Sequence, residues 1–227
     1  MHSIMNLPPI CSRKRAAFTL IEILASIGII SVLATIVLAS LSNAKKTAGR
    51  MESMANMRQI GMGIQSFANE NDGLLPGPLW GGQSPWYQSG DIRTLGYHLW
   101  PYLGLEEPKP WMQEAKILAP KAYLRARPSS NAMSFIMNDQ VVIDGRVRTP
   151  WGYQTLADAT PQSPPPMKVA AVLASGLAST WAMKDVDKTT PEAAPANWKV
   201  NLPSEPIYKP YRLQLYFDWH VEAIKIP

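Results

Sequence analysis

Hydrophobic and polar positions divide the chain into three regimes. From Phe18 to Leu41 the chain is apolar for 24 residues, broken by hydroxyls and by one ionisable side chain, Glu22. A helix of that length is roughly 36 Å long, enough to cross a hydrocarbon core. Thr19, Ser26, Ser31, Thr35 and Ser40 are tolerable there, because helical hydroxyls bond back to the chain. From Ala44 to Asn71 the pattern turns amphipathic. Met54, Met57, Ile60, Ile64 and Phe67 recur at helical spacing, with Lys45, Lys46, Arg50, Arg58 and Glu70 off the stripe. The stripe predicts packing on the protein's own globular domain, where flexible methionines suit irregular surfaces. Gly61 and Gly63 weaken this helix by roughly 1 kcal/mol each relative to alanine, which points to close packing or local bending. "NENDGLLPG" then supplies Asn, Asp, Gly and Pro to stop it. Phe18 to Asn69 would span roughly 78 Å if straight.

The third regime starts near residue 72. "RLQLYF" alternates cleanly, with Leu213, Leu215 and Phe217 on one face and Arg212, Gln214 and Tyr216 on the other. "HVEAIKI" reads as a second strand, joined to the first by a hairpin at Asp218 and Trp219. "SFIMNDQVVID" (134–144) and "KVAAVLASG" (168–176) read as strands or buried segments. Between Gly145 and Pro210 the many prolines, including "SPPP" at 163–166, predict long ordered loops between short strands. The economical fold class is α+β: a long N-terminal helix packed on a small antiparallel sheet.

Composition sharpens these boundaries. Two of the 21 prolines lie at Pro8 and Pro9, none lies between Ile10 and Leu75, and the rest follow. Proline breaks helix interiors, so the gap marks one long helix ahead of a loop-rich domain. All eight tryptophans lie after Leu79. The formal charge is +5, but Arg13, Lys14 and Arg15 supply most of the excess; without them 19 basic residues face 17 acidic ones, a net of +2. The remainder shows no basic stripe, so no nucleic-acid partner is expected. The lone Cys11 excludes an intramolecular disulfide.

Three readings of the apolar segment follow. A cleaved secretory signal would use "SNA" before Lys45, although the segment is long for one and contains Glu22. A plain signal anchor is the second reading. The third starts from "RKRAAFTLIEILASIGIISVLATIV", which resembles the N-terminus of type IV prepilins and type II secretion pseudopilins. In that family a basic leader ends in a small residue, usually glycine, followed by Phe, a Thr-Leu-Ile-Glu run and an apolar helix. "MRQIGMGIQSFANENDGLLPG" resembles the matching helix exit of such proteins. "LYFDWHVEAIK" resembles the end of a subgroup of large pilin-like proteins, with Trp219 where glycine is usual.

The resemblance implies cleavage between Ala17 and Phe18 by a membrane-embedded prepilin peptidase, with N-methylation of Phe18. Ala17 replaces the usual glycine, and Met5 is an alternative start. It also implies that Glu22 pairs with the new α-amine of Phe18 on a neighbouring subunit, setting register between packed helices. A buried carboxylate needs such a partner or must take up a proton. The simpler alternative is a glutamate snorkelling to the headgroups. The implied organisation is a cleaved leader (1–17), a transmembrane helix half (18–43), an amphipathic half (44–71) and an extracytoplasmic head (72–227). Arg13 to Arg15 keep the N-terminus cytoplasmic, although Lys45, Lys46 and Arg50 on the far side blur the charge signal.

The implied partners are the prepilin peptidase, other pilin-like subunits, an inner-membrane assembly platform and the membrane itself. The implied role is a subunit of a type IV pilus or a secretion pseudopilus. The alternative is a signal-anchored extracytoplasmic binding domain or enzyme. No catalytic residue, metal site or cofactor is expected. His2, His98 and His220 build no recognisable triad, and Asp218 and His220 read as hairpin polar groups. Asp185 and Asp187 are too few carboxylates for calcium. Trp80, Trp86, Trp100 and Trp111 read as packing residues, with an aromatic ligand surface as the alternative.

Overall fold

The computed structural model describes residues 19–127, 129, 132–152 and 164–226. The leader, with Cys11, Arg13 to Arg15 and Ala17, lies outside them, as do Phe18 and Ser163. The chain divides into two compact units, Met1–Lys45 and Lys46–Pro227. Helix α1, Leu20–Glu70, contributes to both.

Among the described residues of the first unit, nothing covers α1. Leu20 is 85% exposed, and Ile29, Ile30 and Leu38 are exposed as well. Its hydroxyls turn inward onto the helix. Ser26, Ser31, Thr35 and Ser40 each donate to the carbonyl four residues earlier, at 2.7–3.0 Å. Such a surface sheds polar groups and offers side-chain hydrocarbon all round, which is what an apolar solvent or packed apolar helices require.

The second unit is α+β. Along the chain it carries β1 (Gly82–Gln83), β2 (Trp86–Tyr87), α2 (Leu95–Leu99), β3 (Gln113–Glu114), α3 (Lys121–Ala126), β4 (Phe135–Met137), β5 (Val141–Ile143) and β6 (Arg146–Arg148). Then come α4 (Val169–Ala174), β7 (Trp181–Asp185), β8 (Tyr211–Tyr216) and β9 (Val221–Lys225). The main sheet is antiparallel throughout, in the order β1-β4-β7-β8-β9. β2 pairs with β3 and β5 with β6 in two small ribbons. The stripe on α1 supplies Met57, Ile60 and Ile64 to the core, fully buried with Leu213, Leu215, Met183 and Phe217 of the sheet side. Both glycines serve close packing. A Cβ on Gly61 would come within 3.2 Å of Leu215 Cδ1, and one on Gly63 within 3.0 Å of Leu103 Cδ2. The helix exit is built by Asp72 and Gly73, both left-handed, with the Gly73 N–H returning to the Ala68 carbonyl at 2.8 Å.

Two expectations need revision, those for residues 168–176 and for the Asp218-Trp219 turn, and two others gain detail. Residues 168–176 form a short helix, α4, with only Val172 buried. Its alanines favour helix, and Gly176, left-handed just past the end, closes it. Residues 134–144 are two strands in different sheets, β4 and β5, and Asp144-Gly145 turns the second into β6 with both residues at positive φ. The β8–β9 connection is wider than a two-residue turn: the Tyr216 N–H reaches the His220 carbonyl at 3.0 Å. Trp219 takes the left-handed conformation itself, at φ 69°. That costs roughly 1–2 kcal/mol. In return the side chain packs on the bare backbone of Gly61, where a Cβ would meet Trp219 Cβ at 3.4 Å. Lastly, Arg212 lines an open cavity together with Gln214. It is buried and paired with Asp187.

Asp185 and Asp187 both turn inward. Asp187 Oδ2 accepts from Arg212 Nε at 3.1 Å and Nη2 at 2.6 Å, while its Oδ1 accepts from the Thr189 N–H at 2.7 Å. Asp185 Oδ1 accepts from the Leu213 N–H at 2.9 Å, and its Oδ2 has no partner among the described residues. Burial pushes the Asp185 carboxyl up to about 8, against the opposing pull of Arg212 and Leu213. A native carboxyl that holds its proton above the unfolded value of 3.8 loses stability as pH rises. Below about pH 4 both states are protonated. Between there and about pH 8 the unfolded chain releases a proton that the native chain keeps, at a cost of up to roughly 1.4 kcal/mol per pH unit. Asp185→Asn should therefore melt higher than wild type, with an advantage that grows between pH 5 and pH 8. Parallel melting curves across that range would contradict the assignment.

Candidate functional site: the start of the apolar helix

α1 begins with a reciprocal cap. The Thr19 N–H donates to Glu22 Oε2 at 2.8 Å, and the Thr19 hydroxyl donates to the same oxygen at 2.9 Å. The Glu22 N–H reaches back to Thr19 Oγ1 at 3.3 Å. This is the Thr-x-x-Glu capping box, which satisfies amides that the first helical turn leaves without partners. A carboxylate there also faces the positive end of the helix dipole. The spacing was present in "TLIE", although Thr19 was read only as a tolerable hydroxyl.

Glu22 is the only carboxylate in the first unit and is fully exposed there. Its carboxylate sits where it can exchange an internal cap for an external cation without passing through packed protein. Ala17 and Phe18 precede the described residues, so the expected cut between them and the expected pairing of the Phe18 amine with Glu22 belong to the functional proposal below. Residues 12–38 match the prokaryotic N-terminal methylation motif. The chain carries a prepilin-type signal. The signal and the apolar helix together make this a membrane-anchored, single-pass protein by composition. No curated protein and no solved structure matches the chain.

The remaining candidates lie in the second unit. His220 hydrogen-bonds Asp218 through both its N–H, at 3.2 Å, and its ring Nδ1, and it stacks on Tyr216 at 4.1 Å. That ties the hairpin end to itself. His98 Nε2 donates to the Ile92 carbonyl at 2.6 Å, and its ring packs edge-on to Phe67. The four tryptophans singled out in the sequence lie in different surroundings. Trp111 is exposed, Trp100 packs against the core, and Trp86 lies beneath the Arg127 guanidinium. Trp80 lines a cavity, in company that spacing along the chain did not suggest.

Proposed function

We propose that the chain is a pilin-like subunit of a membrane-anchored helical filament. Prepilin peptidase removes residues 1–17, and Phe18 becomes the methylated N-terminus. The membrane holds the subunit through residues 18–43 until assembly, with the leader cytoplasmic and residues 72–227 on the far side. The observation that carries this reading is the methylation motif at residues 12–38, in register with a polar helix start inside an otherwise apolar, uncovered helix.

Glu22 is the assembly contact. Cleavage creates an α-amine at Phe18, about one turn from Glu22. In an apolar surround, the amine of one subunit and the carboxylate of the next satisfy each other only when the helices are in register. Head-to-tail contacts of this kind propagate without closing, which gives a filament. Other pilin-like subunits and an inner-membrane assembly platform complete the machinery. Cells making the full chain beside a prepilin peptidase should yield sheared filaments that contain it. The same cells without the peptidase should retain it in the membrane. Filaments formed equally well in both would refute the reading.

A further inference from the structure

The head carries a cavity of about 870 Å³ beside the main sheet, with three tryptophans in its wall: Trp80, Trp181 and Trp198. They come from a loop, from the start of β7 and from the 3-10 helix Asn197–Asn201. All three are half-buried, and each is held by neighbours of its own. The Arg93 guanidinium lies 4.2 Å from the Trp80 ring centre, itself pinned by Asp91 at 3.1 Å. Lys184 Nζ lies 4.1 Å from the Trp181 ring centre and pairs with Glu192 at 2.6 Å. Trp198 rests on the bare backbone of Gly82, where a Cβ would approach Trp198 Cζ2 to 2.8 Å. Neither Arg93 nor Lys184 lines the cavity.

We propose that this cavity binds a neutral oligosaccharide. Its volume falls among ligand sites of about 300–1,000 Å³. Charge selects the ligand class. Asp139 and Glu192 are in the wall and, among the described residues, no lysine or arginine is, which disfavours phosphates and other anions. Glu192 is already neutralised by Lys184, and the space is far larger than a single ammonium group fills. What remains is a neutral molecule with apolar faces and many hydroxyls. Sugar rings present a C–H face that stacks on the electron-rich face of indole. Their hydroxyls both donate and accept. Asp139 accepts, and Gln140 and Asn197 do both; none of these side chains hydrogen-bonds another described residue. A proline-rich peptide would also suit aromatic walls, but it lacks donors for Asp139.

The test uses the full chain in octaethylene glycol monododecyl ether, a detergent without sugar. Cellohexaose, xylohexaose, mannohexaose and maltohexaose are titrated by tryptophan fluorescence and saturation-transfer NMR. At least one should bind with a millimolar or tighter Kd. Trp198→Ala should weaken it roughly tenfold. Because Trp198 also packs on Gly82, Asn197→Ala serves as the second variant: it is exposed, should leave the melting temperature unchanged and should weaken binding several-fold. The proposal fails if none of the four binds, if both variants bind as wild type, or if a decaproline peptide or choline binds more tightly than every sugar.

Discussion

Glu22→Ala should cut the sheared filament fraction by roughly tenfold or more while leaving the chain in the membrane. A charge-assisted hydrogen bond contributes about 1.5–3 kcal/mol net, and the one proposed between Glu22 and the neighbouring Phe18 amine would recur at every subunit. Alanine removes two things together, the cap on Thr19 and the charge for the neighbouring amine. Glu22→Gln separates them. Its amide oxygen still accepts from the Thr19 N–H, now 2.8 Å from the carboxylate, so the helix start survives. Its missing charge leaves the Phe18 amine without a counterion. The expected order of filament yield is wild type, then a strongly reduced Gln variant, then Ala. If Gln assembles as well as wild type, Glu22 is a cap and nothing more, and the register mechanism is wrong.

Arg212→Met should lower the stability of the head by about 3–5 kcal/mol, because it leaves the Asp187 charge buried and without its counterion. The Asp187 side chain is 2% exposed and its Arg212 partner 11%, so water cannot replace the guanidinium. Thr189 and Thr190 continue to donate to the carboxylate, which limits the loss. For a domain of this size the melting temperature should fall by roughly 6–20 °C. The effect should be larger at pH 8 than at pH 5, since Arg212 also opposes the upward push on Asp185. Adding Asp187→Asn to the Met variant removes the stranded charge and should restore much of the loss. A single-variant change under 1 kcal/mol would mean that the pair is hydrated in solution.

Sequence reasoning was strongest where one period ran uninterrupted. The spacing of Met57, Ile60 and Ile64 located the buried face of α1, and the alternation of Leu213, Leu215 and Phe217 located that of β8. Both patterns report directly on which side meets the core. At Arg212 alternation says which face the side chain takes but not what covers it, here the loop that carries Asp187. The strand or buried-segment reading failed at 168–176, where an alanine-rich run has no clear period and helix propensity decides. The Asp144-Gly145 hairpin signal was present, but the segment was closed at Asp144 and Gly145 was counted with the loops that follow. Trp219 shows the limit of position-by-position expectation. Its backbone cost is visible in the sequence, whereas the bare Gly61 that receives its side chain lies more than 150 positions away. The tryptophan cavity was beyond reach for the same reason, since Trp80, Trp181 and Trp198 converge only through sheet order. At the helix start the opposite holds. Thr19, Glu22 and the flanking apolar run stand in one short stretch, so the signal was legible before any coordinates.

The most direct measurement is the mass of the N-terminal peptide of the protein recovered from membranes and sheared filaments. A peptide that begins at Phe18 and carries one extra methyl group is the predicted result. A chain that begins at Lys45 would make the apolar helix a discarded secretory signal, and an intact Met1 or Met5 start would make it a simple anchor; either would contradict the account.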